Sequence, residues 1–395
     1  RLPLEKAVEE APLLTPNSPD TKPPKIQNAR MSWFWILLLA PFRLLRHMLA
    51  ALLTFNSKSP IHTVPQLVAM AGYKCESHEV TTGDGYVLTL FRVGPVKQSS
   101  KKPRTPVLLW HGLLDSSYTW IYQRQNSLPF LLVEQGYDVW LANNRGTCYS
   151  RRHLFAKPDQ FWQFTYDEFA MFDLPCTIDK VLQETGSEKL AYVGHSEGTT
   201  QMFAALSMPA NAPQRPSGQI ADKLSCYVAL APVASIHNIS GLFRKLSNIH
   251  VDSILWKLGC THQFMGRPRN IIRRLMGAFT SSFPDVINDL LGILCGKPWS
   301  KMPANRLGEW GEHEPGGTSM LNMCHWAQGA RRPADEPFAM FDYGKDENNF
   351  RYGQATPPAY DLGLLFPRSL PTLLLAGAED TLASPRDVSW LADTL

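Results

Sequence analysis

Residues 189–200 read Lys-Leu-Ala-Tyr-Val-Gly-His-Ser-Glu-Gly-Thr-Thr, an apolar strand that runs into Gly194-His195-Ser196-Glu197-Gly198 and then into a helical pattern from Thr199 to Met208. The spacing is that of a nucleophile elbow, in which a strand turns so sharply into a helix that the central serine takes unusual backbone angles. Glycine two residues before and two after it leaves room for the neighbouring backbone to pass. Ser196 Oγ is thereby raised above the sheet edge. The first N–H groups of the following helix favour negative charge developing on a carbonyl oxygen bound beside it. A glycine-bracketed turn without chemistry is the competing reading, and the strand before and the helix after weigh against it.

Upstream, Pro106 to Trp110 forms a short buried strand that ends in His111-Gly112-Leu113-Leu114. Acyl transfer needs two backbone N–H donors for the oxyanion, one from the residue after the nucleophile and one from a loop at the end of an earlier strand. Glu197 and Leu113 are the candidates. Tyr73 to Val93 alternates around Gly83-Asp84-Gly85, a hairpin signal. A helix over Ser127 to Glu134, a strand over Tyr137 to Ala142, an amphipathic helix over Tyr166 to Glu184 and a strand over Cys226 to Val233 follow. Such alternation predicts an α/β fold whose central sheet is mostly parallel and covered on both faces. Leu370 to Ala376 is a further strand, and Gly377-Ala378-Glu379-Asp380 follows at its end. A carboxylate there is placed to orient a histidine, as in a serine triad, or is a solvated acidic turn.

The chain has 395 residues, 44% hydrophobic and 19% charged, enough for one large domain with an insertion. Its net charge of +4 is too mild to argue for nucleic acid, and no basic stripe alternates with exposed aromatics. Seven scattered cysteines without a Cys-x-x-Cys pair argue against zinc, and no metal site is expected. Residues 1–30, proline-rich with mixed charge and no apolar period, read as disordered. Residues 31–56 are apolar but broken by Arg43, Arg46 and His47. A secretory signal from Met31, an interfacial anchor with Trp33 and Trp35 at headgroup depth, and a tilted span from Trp33 to Phe55 all fit that segment.

Taken together the pieces resemble the acid lipase family of α/β-hydrolases. The residues that carry the resemblance are Ala71-Gly72-Tyr73, Asp84-Gly85-Tyr86, His111-Gly112-Leu113-Leu114, Asn144-Arg145-Gly146, Tyr166-Asp167-Glu168, Asp173-Leu174-Pro175, Gly194 to Thr200, Gly317-Thr318-Ser319 and His325-Trp326. They run in family order from about residue 60 to the end. The resemblance implies an α/β-hydrolase core over 60–234, a helical cap or lid over 235–366, and a final core part over 367–395. It also selects Asp380 over Glu379 as the acid. The implied activity is hydrolysis of triacylglycerol or steryl esters through an acyl-Ser196 intermediate. Leu113 and Glu197 would form the oxyanion hole and no cofactor would be needed. Family members typically carry glutamine where this chain has Glu197, which sets a carboxyl beside the oxyanion site.

Leu242 to Leu258 and Ile271 to Phe279 put Leu, Ile, Phe, Trp and Met on repeating faces, flanked by Arg267, Arg269, Arg273 and Arg274. A lid with these properties covers an acyl groove in water and turns to lipid at a membrane or lipid–water interface. The partner is then a lipid ester. The setting is a membrane, the secretory pathway, a lysosome-like compartment or a lipid droplet. In this fold the triad runs serine, acid, histidine, yet the last histidine, His325, precedes Asp380. The base is therefore expected beyond Leu395, and the chain as written is expected to turn over esters poorly. A different serine esterase or peptidase of the same fold, and a non-catalytic lipid-binding relative, are the alternatives.

Overall fold

The computed structural model describes residues 61–96, 104–213, 220–266, 270–296 and 301–395. Segments 1–30 and 31–56, with Arg267 and Arg269, lie outside the described residues. Strands β1 (Tyr73–Thr81) and β2 (Tyr86–Pro95) pair antiparallel across the Asp84-Gly85 turn. They are followed by β3 (Pro106–Trp110), β4 (Asp138–Leu141), β5 (Arg152–His153), β6 (Leu190–His195) and β7 (Leu224–Leu230). Two short strands, β8 (Gln263–Phe264) and β9 (Thr318–Ser319), pair with each other, and β10 (Thr372–Leu375) rejoins the main sheet. The order β1-β2-β4-β3-β6-β7-β10 is parallel from β4 to β10, with β5 on β2. β6, which leads into the elbow, is interior to the sheet.

Period-two alternation sends Val107, Leu109, Val139, Val193 and Val228 to one face and Leu108, Trp110, Trp140, Tyr192 and Tyr227 to the other. Both faces are buried, which is why these strands read as unbroken apolar runs. Helices Leu128–Glu134 and Val64–Met70 cover the first face, and helices Leu174–Thr185 and Glu197–Leu206 the second. Each such fully buried Leu, Val or Phe contributes about 1.5–3 kcal/mol.

Two stretches depart from simple periodicity. The helix expected over 166–184 contains a wider turn, with α-helix over Tyr166–Glu168, a π-turn over Phe169–Asp173 and α-helix again over Leu174–Thr185. Pro175 has no N–H to give to the carbonyl four residues back, so the ladder slips by one residue before it. The pattern over 242–258 is two helices, Gly241–Asn248 and Val251–Lys257, parted where His250 takes φ 54°. No Gly or Pro marks that break.

Between β7 and β10 the chain forms the helices Gly241–Asn248, Val251–Lys257, Asn270–Ser282, Pro284–Cys295, Ala304–His313 and Met320–Arg331. The later part, with Phe338, Met340, Tyr360 and Phe366, packs into the cluster that holds Tyr227 and Phe203. Among the described residues no disulfide joins any of the seven cysteines, and no helix is long and apolar enough to cross a membrane.

Candidate active site

Ser196 sits between β6 and helix Glu197–Leu206 at φ 50°, ψ −116°, a conformation L-residues seldom adopt. The two flanking glycines make it sterically feasible. A Cβ on Gly194 would lie 2.6 Å from the Gly198 carbonyl oxygen, and one on Gly198 would lie 2.6 Å from Trp110 O and 2.8 Å from His111 O. The strained turn is tied down by its neighbours: Ser196 N donates to Leu230 O at 2.9 Å, and Thr199 Oγ1 donates to Ser196 O at 2.6 Å. Ser196 does not cap its own helix, so Oγ is not consumed by the backbone.

Gly112 closes the site from the β3 side. A Cβ there would stand 3.1 Å from Ser196 Cβ and 3.1 Å from His195 Nδ1. After it the chain folds back, Asp115 N donating to Gly112 O at 3.3 Å, with Leu114 in the left-handed region at φ 61°. The loop bearing Leu113 and the helix start bearing Glu197 thus meet at Ser196.

The Glu197 side chain is 2% exposed. Its Oε1 accepts from Asn322 Nδ2 at 2.7 Å and from Trp326 Nε1 at 2.7 Å, while Asn144 Nδ2 is 3.5 Å from Oε2. Burial raises its pKa to about 7, against the pull of Trp326 and Asn322, and no cation compensates. The carboxyl turns toward the insertion, into a nest of neutral donors, which lets the helix N-terminus keep its N–H groups. These partners lie 53 to 129 residues away in sequence, so no local signal announced them.

Asp380 follows β10 at the same edge of the sheet, since Leu375 is in register with Leu230, whose carbonyl accepts Ser196 N. Its Oδ1 accepts the N–H groups of Leu382 at 2.8 Å and Ala383 at 2.9 Å. Its charge reaches His195, whose pKa is nevertheless lowered by burial. Among the described residues no histidine hydrogen-bonds Ser196 Oγ. His111 accepts the Asn144 N–H through Nε2 at 3.0 Å and so must give its Nδ1 proton to Gly112 O at 2.8 Å, leaving neither nitrogen for catalysis. His325 stacks on Tyr166 at 3.7 Å, is spent on Ala339 O through Nε2, and is pushed down to about 3 by burial.

A second buried cluster supports the site from below. Arg145, 1% exposed, reaches Asp173 through Nε at 2.8 Å and Nη2 at 2.5 Å, and Asp84 through Nη1 at 2.5 Å. Its guanidinium also lies 3.9 Å from the centre of the Tyr86 ring. The motif pieces Asp84-Gly85-Tyr86, Asn144-Arg145-Gly146 and Asp173-Leu174-Pro175 are therefore one ionic joint. It fixes the hairpin, the loop carrying Asn144 and the π-turn to one another. Of the arginines expected to flank the lid, Arg273 turns inward instead, donating to Glu312 O at 2.6 Å.

Comparison with known proteins agrees with this architecture. Residues 64–124 match a family model described as a partial alpha/beta-hydrolase lipase region, and residues 105–238 match the alpha/beta hydrolase fold. Gastric triacylglycerol lipase of Bos taurus is 37% identical over 346 residues, covering 84% of this chain and 82% of that protein. Lysosomal acid lipase/cholesteryl ester hydrolase of Homo sapiens is 35% identical over 337 residues, covering 83% and 80%. Matches of this extent, together with an elbow that needs both its glycines, mean that the chain belongs to the acid lipase family of α/β-hydrolases.

Proposed function

We propose that the chain is a lipid ester hydrolase that acts on triacylglycerol or steryl esters through a covalent acyl-Ser196. The observation that carries the proposal is the strained Ser196 at the head of a ten-residue helix, with Gly112 pressed to its Cβ side. In this reading Ser196 Oγ attacks the ester carbonyl, and the N–H groups of Leu113 and Glu197 receive the oxyanion. His195 belongs to the elbow, and Gly194 and Gly198 give it clearance. Asp380 is the acid that holds a histidine base, and that base is none of the described histidines. Two of the relatives are named for triacylglycerol and cholesteryl ester, which supports the substrate class.

The insertion, taken as a cap over 235–366 between core parts 60–234 and 367–395, supports action at a lipid interface. Leu242, Ile254, Leu275 and Phe279 on its helices, and Ile249 and Leu258 at helix ends, are each between 42 and 74% exposed. So dense an apolar surface suits lipid better than water. A secretory or lysosomal setting goes with this reading.

Free imidazole can stand in for a general base in a site that lacks one, so the test is turnover of a p-nitrophenyl butyrate solution with and without it. The chain alone is expected to be slow, imidazole to raise the rate beyond the protein-free reaction of imidazole with the ester, and Ser196→Ala to abolish that excess. An excess over the protein-free imidazole rate that survives Ser196→Ala would sink the assignment of the nucleophile.

A further inference from the structure

The turn Gly112–Ser116 is pressed from outside by the segment that follows helix Ala304–His313. Gly316 N donates to Leu114 O at 2.6 Å, and a Cβ on Gly316 would lie 2.4 Å from Asp115 O, so the two backbones touch without a side chain between them. Beside this contact lies Glu314, 8% exposed. Its Oε1 is 3.5 Å from Ser116 Oγ, and its carboxyl is within hydrogen-bonding reach of the Asp115 carboxyl. Asp115 Oδ1 in turn accepts the Ser116 N–H at 2.7 Å. The helix before it is anchored on the same region of the core. Tyr118 OH donates to Glu309 Oε1 at 3.2 Å, Arg124 pairs with Glu309, and His313 stacks on Tyr118 at 4.0 Å.

Two carboxyl groups bond each other only if one keeps a proton. Glu314 Oε2 is buried and meets no N–H or O–H donor, as expected of an oxygen facing another carboxyl. The groups that face the pair are Cys148 and Tyr118, with His111 and His195 on the far side of Asp115 and Glu309 and His313 on the side of the insertion. Burial and the Asp115 charge push Glu314 well above the carboxylate range, while burial lowers His111 and His195, so neither imidazole supplies a cation near neutral pH.

We propose that Glu314 is a positioning residue: its carboxyl shares one proton with Asp115 and so locks the Gly112–Ser116 turn, and with it the Leu113 N–H, against Ser196. The proposal rests on the reading of Leu113 as an oxyanion donor. Glu314 touches no reacting atom; it acts through the turn. Glutamine at 314 keeps the function, because its amide N–H can donate to the Asp115 carboxylate. Alanine removes it.

The experiment compares Glu314→Ala, Glu314→Gln and wild type by hydrogen exchange of the 112–116 amides, with β6 as internal reference, and by imidazole-supported turnover of p-nitrophenyl butyrate. In Glu314→Ala, exchange of the turn should rise and kcat should fall, each by about tenfold or more, with KM and β6 unchanged, since small misplacement of a donor costs rate rather than binding. Glu314→Gln should stay close to wild type in both. Asp115→Ala, approached from the core, should reproduce the alanine result if Glu314→Ala does not fold. The idea fails if the alanine variants leave the turn's exchange or kcat within about twofold of wild type, or if Glu314→Gln is as impaired as Glu314→Ala. Absence of any Ser196-dependent turnover in the wild type would refute the catalytic reading instead, and the exchange result alone would then decide whether the clasp exists.

Discussion

Replacing Glu197 by glutamine should make the protein's stability less sensitive to pH. The folded state holds this carboxyl's pKa near 7, against 4.5 ordinarily, because the group is buried among Asn322, Trp326 and Asn144 without a cation. Between those two pH values the folded chain binds more protons at this site than the unfolded chain, so stability falls as pH rises through the window and the loss is complete above about 7. At about 1.4 kcal/mol per pH unit the upper bound is about 3.5 kcal/mol, and relaxation of the site brings the expectation to about 1–3 kcal/mol. Glutamine keeps an acceptor for Asn322 and Trp326 and cannot ionise. Its cost is an amide N–H turned toward Asn144, a contact already long at 3.5 Å. Urea unfolding at pH 5 and pH 8 gives the comparison. Glu197→Gln should lie within about 1 kcal/mol of wild type at pH 5 and gain about 1–3 kcal/mol relative to it at pH 8. Asp167 and Glu168, also raised to about 7 by burial, titrate in the same window in both proteins and drop out of the difference. A stability difference that is the same at both pH values would refute the reasoning.

Arg145→Ala leaves Asp173 and Asp84 without their cation and should cost about 3–5 kcal/mol at neutral pH, read from the urea midpoint. Burial raises Asp173 to about 6, so the loss should shrink below that pH, where the carboxyl is neutral; an equal loss at pH 5 would contradict the ionic joint. Gly198→Ala forces a methyl to 2.6 Å from Trp110 O and should destabilise by about 1–3 kcal/mol while removing imidazole-supported turnover, measured side by side.

The elbow, the hairpin and the parallel strands were legible because each is written in a short span: glycines at fixed offsets, Asp-Gly between alternating runs, and apolar strands ended by turns. Leu113 and Glu197 were named as oxyanion candidates only from their place beside such features. What stayed hidden was the pairing of side chains across long separations. Nothing near Glu197 announces Asn322 and Trp326, and nothing near Asp115 announces Glu314. The triple joint at Arg145 is intermediate: its three motif pieces stood out individually, but only the folded chain shows them sharing one guanidinium. Pro175 was a visible signal for the π-turn inside the helix beginning at Tyr166. The break at His250 had none, since left-handed backbone at a non-glycine residue is imposed by packing.

The π-turn over Phe169–Asp173 amounts to one residue spliced into an otherwise regular helix. Each residue of a helix advances the chain by about 100° around its axis. Pro175 keeps the turn wide, so the loss of one residue from Phe169 to Phe172 would not be absorbed and would rotate Tyr166 by roughly that angle relative to Ile178 and Val181. Point changes at 169–172 therefore act locally, whereas a single-codon deletion there should put the two halves of the helix out of phase. Length, more than residue identity, is what that segment has to conserve.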